Sequence, residues 1–320
     1  MNDASAARVE RRSPENDAFR VVSARDSLAT RLRNLWNRRE LLLSLIRSDI
    51  RIKYKNSALG IVWSMLTPTL FLAIYWLVFA KFLKNGIPNF VVYLFAGMVV
   101  WNMFNTSLST ATGVIVVRSG LVKKVSFPRE ILALANVGAA TFYFFIQVCV
   151  FGLYLLLIGH SPDYAYFWLL PIAFFALYFF TAALAVVMSA ITVYMRDMEH
   201  FILIILQLWF FMSPIVYSYE HSIAPQLHAH GVAWLYFLNP ITLIMLTFQR
   251  TFYVATFVHS TVASVAANGV KTYPILKILP SWSMSTYFYL DLALLGIMVV
   301  VFLVAEVIFG HLQGNFESEL

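Results

Sequence analysis

The feature that most constrains this chain is a series of long stretches without a formal charge. No Asp, Glu, Lys or Arg occurs in 56–80, 85–117, 131–162 or 164–195. A bilayer core of roughly 30 Å is crossed by about 20 apolar residues in a helix, so each stretch is long enough. A chain that crosses lipid must satisfy its own backbone hydrogen bonds, which favours helices. Composition agrees. The 320 residues are 60% hydrophobic and 12% charged, whereas soluble domains carry about 25% charged residues. That is too little charge to cover a water-soluble enzyme of this size. The 28 Phe, 16 Tyr and 8 Trp exclude a disordered chain. The single Cys149 excludes an internal disulfide and every multi-cysteine metal site.

The pattern predicts an all-α integral membrane protein with six transmembrane helices, at about 57–80, 91–117, 131–158, 166–193, 201–218 and 286–306. Between the last two lies an outer segment, 219–285. Its apolar stretch 232–258 is broken by Asn239-Pro240 and by Gln249-Arg250. Proline and its neighbour interrupt helices. Short re-entrant outer helices before the last span fit this better than a clean crossing, and a seventh crossing is left open. Pro68 and Pro214 are placed as kinks in their spans.

The first 37 residues read as a mobile tail, with no continuous apolar run of the kind a signal peptide needs. Residues 38–56 then show helical period. Leu42, Leu45, Ile46, Ile50 and Tyr54 share one face, and Arg47, Arg51 and Lys55 share another. This is an amphipathic interface helix with its apolar face toward lipid, and Lys53 lies in the same basic stretch. Residues 1–60 hold 13 of the 23 Lys and Arg. That excess sits beside the first apolar run and marks a membrane face rather than a nucleic-acid site. With six spans and the N-terminus inside, 18 of the 23 basic residues fall inside and five outside. Positive residues favour the cytoplasmic side, so both termini, including 311–320, are placed there.

No ionisable residue occupies the middle of a span, which argues against ion-coupled transport. There is no HExxH or GxSxG, and none of the 13 glycines is followed by Lys, so there is no Walker A loop. His221, His228 and His230 have no metal-ligand spacing. No cofactor is expected in this chain.

Four segments resemble the ABC-2-type permease family, specifically the transmembrane subunits of bacterial polysaccharide, O-antigen and teichoic-acid exporters. They are RSDIRIKYKNSALGIVWSMLTPTL at 47–70, RSGLVKKVSFPREILALANV at 118–137, YMRDMEHFILIILQLWFFMSPIVY at 194–217 and LNPITLIMLTFQRTFY at 238–253. The resemblance implies a homodimer in the bacterial inner membrane. It implies two copies of a separate ATP-binding subunit, carrying ATP and Mg, and export of a lipid-linked glycan. The ending FGHLQGNFESEL is similar to that of actinobacterial galactan exporters, which implies a polyprenyl-diphosphate-linked galactan. The long tail and the length of 254–285 depart from the family pattern.

On the resemblance, Lys123, Lys124, Phe127, Pro128, Arg129 and Glu130 form the ATPase-coupling loop, joined by Arg196 and Asp197. The same residues also suit a basic membrane anchor, with Pro128 and Glu130 at a helix start. Arg47, Arg51, Lys53, Tyr54 and Lys55 frame a lateral entrance. Tyr143, Phe144, Tyr178, Trp209 and Phe210 are candidate channel aromatics, against the plainer reading of aromatic anchors and core. Asn239, Pro240, Gln249 and Arg250 belong to an outer gate. Alternatives are an exporter of a drug or small lipid, or an intramembrane glycosyl- or acyltransferase. The last would need catalytic polar groups converging at one membrane face.

Overall fold

A computed structural model describes residues 28–55, 62–124, 127–265 and 271–319. The chain is mostly helical. It begins with α1 (Leu28–Asn37) and α2 (Arg39–Tyr54). Helix α3 (Val62–Tyr75) runs on into a π-helical stretch, Trp76–Phe82, and α4 spans Phe90–Ala111. Two short helices follow, α5 (Val114–Val117) and α6 (Ser119–Lys124), then α7 (Glu130–Leu157), α8 (Leu169–Tyr194) and α9 (Met198–Met212). The outer segment holds α10 (Ala224–Ala229), α11 (Ala233–Tyr236) and α12 (Pro240–Phe252). Four short strands come next: β1 (Phe257–His259), β2 (Ser264–Val265), β3 (Lys271–Thr272) and β4 (Ile275–Lys277). Helix α13 (Met284–Leu312) and α14 (Phe316–Glu319) end the chain.

Among the described residues, four helices, α4, α7, α8 and α13, are long and apolar enough to cross a membrane. Two expected spans are shorter. The first begins in residues outside the described ones and is apolar over Pro68–Phe82. The fifth, α9, has 15 residues, about 22 Å at 1.5 Å per residue. It stops before Pro214, so that proline ends the helix instead of kinking it. Its carbonyl is freed to accept from Tyr93 (3.2 Å) and Gln249 (2.7 Å). Pro68, by contrast, lies inside α3.

The outer segment departs from an all-α reading. β1 pairs with β4 in antiparallel register, Val258 opposite Leu276, and β2 pairs with β3. Helix α12 packs into the bundle, with 11 of its residues buried. Asp291 is fully buried in α13, where both carboxylate oxygens accept from the Thr247 hydroxyl of α12 at 3.1 and 2.9 Å. That bond joins α12 to the last long helix.

Two further expectations are corrected at the chain start. The tail boundary at residue 37 falls too late, because 28–37 is a helix with Arg31 buried. The apolar face of α2 is also not left to lipid. Leu42 and Leu45 pack onto a buried cluster of α4, α7 and α8, and Ile46 meets α7 where Gly138 presents no side chain. A Cβ at Gly138 would run into Ile46. Gly138→Leu should therefore push α2 off α7 and cost about 1–3 kcal/mol as overpacking. Thermal unfolding of the purified protein checks this, and added Ile46→Ala should recover most of the loss.

Candidate functional site

Packing gathers the charged segments at one end of the bundle. Arg118 pairs with Asp49 of α2. Arg129 donates to the Gln313 carbonyl (3.2 Å) and lies over the Phe316 ring, which also meets Tyr194. The end of α4 meets the start of α9, where Gly113 abuts Glu199. This basic end thus carries α1, α2, the 118–130 segment, the 194–200 turn and the chain's C-terminal helices.

The six loop residues separate into two groups. Lys123 and Lys124 are exposed at the end of α6, whereas Phe127 packs onto the buried cluster and Pro128 is half-buried. Glu130 points inward. It is 2% exposed and its Oε1 accepts from Arg31 at 3.0 Å. Its position in the first turn of α7 suits a carboxylate near a helix N-terminus. Arg196 and Asp197 are exposed. A polar groove of about 650 Å³ opens beside Phe127 and Pro128 and is lined by Arg31, Asn34, Arg38, Glu130 and Gln313.

On α2, Arg47, Arg51 and Lys55 are exposed. Tyr54 closes the helix, and its side chain lies outside the described residues. Lys53 reaches across to α7, its Nζ 4.3 Å from the centre of the Tyr143 ring. Lys53 is exposed along part of its length, yet its ammonium end is drawn inward, and burial there lowers its pKa. Around it lies a pocket of about 260 Å³ lined by Asp49, Lys53, Thr106, Arg118, Asn136 and Tyr143. Two cations and one carboxylate suit an anionic group with hydroxyls around it.

The candidate aromatics divide likewise. Phe210 stacks on Tyr75 (5.2 Å) and meets Trp101 edge-on (5.5 Å). It lines a groove of about 290 Å³ between α3, α4 and α9 that also contains Asn102, Asn105 and Gln207. Flat rings beside amides offer apolar faces and hydrogen-bonding groups together, the combination a sugar needs. Phe210 is itself 4% exposed and, like Phe144, belongs to the buried core; Phe144 packs on Phe174 and Phe248, and Tyr178 packs on Phe174 and Phe179. Trp209 is a hydrogen-bond donor to Asn239 (3.0 Å) between the rings of Phe104 and Phe180. Aromatic spacing alone does not separate these roles, because successive residues point around the helix.

The expected outer-gate residues act as fasteners. Asn239 caps α12 by accepting from Ile241 N–H (3.1 Å), and it donates to Ser213 (3.0 Å). Pro240 follows at the first helical position, where its missing N–H costs nothing. Gln249 is fully buried and bonded to the Pro214 carbonyl. Arg250 pairs with Asp163 (3.2 Å) of the α7–α8 connection and lies 4.2 Å from the Tyr166 ring centre. Both ends of α12 are thereby tied to neighbouring elements. Sequence reasoning missed Arg31, Asp49 and Arg118. The only signals were a leucine spacing at 28, 32 and 35 and two charges flanking apolar runs. No cluster of three or more metal-ligating side chains occurs among the described residues.

A family model described as ABC-2 type transporter matches residues 40–253. The chain is similar to two proteins of Klebsiella pneumoniae, each named O-antigen export system permease protein RfbA. One is 26% identical over 231 residues, covering 72% of this chain and 87% of the relative. The other is 26% identical over 240 residues, covering 75% and 85%. The protein of the same name in Myxococcus xanthus is 31% identical over 222 residues, covering 69% and 84%.

Proposed function

Since the chain belongs to the ABC-2 type transporter family, we propose that it is the membrane subunit of an ATP-driven exporter of a lipid-linked polysaccharide. It would work as a homodimer in the bacterial inner membrane with both termini cytoplasmic. Two copies of a separate ATPase subunit would bind ATP and Mg. The observation that carries the substrate class is the amide and aromatic groove around Phe210, Asn102 and Gln207, read with relatives named for O-antigen export. Rings grip the C–H faces of a sugar without strong directional bonds, so a chain can slide while the amides exchange partners.

Entry follows from the pocket beside α2. Lys53 and Arg118 would hold the diphosphate of a polyprenyl carrier, and the hydrocarbon tail would stay in lipid. Lys can meet phosphate as a point charge and Arg as a planar fork. The exposed Lys123 and Lys124, with Arg196 and Asp197, would face the ATPase. A ligand-driven change on that side reaches the spans only through elements coupled to both, and α7 begins directly after the loop. The outer gate would lie at α12, opening by release of its fasteners.

The test is reconstitution. The permease and its ATPase partner in liposomes should move a polyprenyl-diphosphate-linked glycan only with hydrolysable ATP, and the permease alone should move none. Steady glycan movement by the permease alone would refute the reading. So would ATP-driven export of small drugs with the glycan excluded.

A further inference from the structure

We propose that Arg31 is a positioning residue for the coupling loop, acting through Glu130 from a helix that lies outside the family-matched stretch. The match begins at residue 40, and α1 ends at Asn37. This inference rests on the loop's facing the ATPase, as proposed above.

Arg31 is 5% exposed and engages two helices that are far apart in sequence. One Nη donates to Glu130 (3.0 Å) and to Glu306 of α13 (3.3 Å). The other donates to the Glu306 main-chain carbonyl. The guanidinium lies over the Phe309 ring, 5.6 Å from its centre, and sits where Gly310 has no side chain. A planar fork with donors on two nitrogens can make this set of contacts; a lysine cannot. The three charges do not cancel, because one cation faces two carboxylates that are 2% and 0% exposed. Neutralising a surplus carboxylate would need no arginine. The geometry instead joins the first residue of α7 to the last long helix.

That link bears on the loop because Glu130 directly follows Phe127, Pro128 and Arg129. The adjoining residues are held on the same side. Arg129 reaches the Gln313 carbonyl and the Phe316 ring, both just beyond the end of α13. Arg31 and Arg129 therefore fasten the two sides of one junction to α13 and its extension. The groove beside Phe127 and Pro128 is walled by Arg31 and Glu130 themselves. A push on the loop would be delivered to α7 and α13 together and not absorbed by the loop bending.

The experiment uses the full-length permease with its ATPase partner and compares Arg31→Lys, Arg31→Met and the triple variant Arg31→Met/Glu130→Gln/Glu306→Gln. The triple variant removes all three charges of this cluster, so it keeps the test valid if Arg31→Met alone does not fold. Tryptic cleavage after Lys123 and Lys124 in purified nanodisc samples reads loop position, since proteolysis follows the open population. Cleavage should be roughly fivefold faster in Arg31→Met and in the triple variant, and intermediate in Arg31→Lys. Permease-stimulated ATP hydrolysis should fall in the same order while the triple variant keeps the wild-type melting midpoint. A folded triple variant with wild-type cleavage and stimulation would overturn the proposal, because Arg31 would then only balance charge. Normal ATPase copurification with Lys123→Glu/Lys124→Glu, beside faster loop cleavage in the Arg31 variants, would sink the docking assignment and leave the positioning role standing.

Discussion

Lys123→Glu/Lys124→Glu should lower copurification of the ATPase subunit at least about tenfold, a loss of roughly 1.4 kcal/mol in binding. Both side chains are exposed at the end of α6. Their reversal therefore leaves the permease's interior unchanged, and the variant should fold and insert normally. Its effect lies in opposing like charges across the contact, which costs several kcal/mol where charges are juxtaposed. Raising salt should weaken the wild-type complex and narrow the difference between the two proteins. Arg129 is a poorer probe despite its place in the loop. It holds the Gln313 carbonyl and the Phe316 ring, so its reversal would disturb the fold and the contact together. Quantified pull-downs from matched membrane fractions give the answer, and undiminished copurification would remove the loop from the interface.

Asn239→Ala should be among the most damaging single truncations at the far end of the bundle, costing about 2–4 kcal/mol. It removes a helix cap, usually ~0.5–2 kcal/mol, and strands a partly buried donor on Trp209, about 1–3 kcal/mol more. The same side chain accepts from Ile241 and Trp209 and donates to Ser213, so α9, α12 and the turn between them share one amide. Asn239→Asp keeps the two acceptor roles but loses the donor to Ser213, whose own hydroxyl proton is already given to the Trp209 carbonyl (3.0 Å). It should recover part of the stability, chiefly the cap and the Trp209 bond. Thermal unfolding in detergent orders the three proteins. If Asn239→Ala melts like wild type, α12 is not fastened through this residue.

The architecture was legible where the physics is local. Uncharged length marked α4, α7 and α8, an apolar run with a charge near each end marked α13, and the 3.6-residue period marked α2. Pro240 after Asn239 marked the start of α12 through cap chemistry. What stayed illegible depends on partners distant in sequence. Arg31 looks like a solvated tail charge until α13 brings Glu306 to it across 275 residues. Phe144, Trp209 and Phe210 are equivalent as aromatic residues in apolar runs. Only the packing of α3 and α4 makes Phe210 a groove wall, Trp209 a donor to Asn239 and Phe144 core. The strands were hidden for another reason. Each is two or three residues long, too short for alternation to emerge against a hydrophobic background.

The strand pairs have a consequence for how such chains can diverge. The feet of the excursion are stitched together at Ile278 N–H to the Thr256 carbonyl (2.8 Å) and again at Ser260 N–H to the Pro274 carbonyl (2.8 Å). Thr261 N–H is fixed to the Gly86 carbonyl at 2.9 Å. Beyond these rungs the excursion continues, among the described residues, as the short β2–β3 pair. Residues can be added or lost there without shifting anything beneath, making this the natural place to insert an epitope or to let lineages vary.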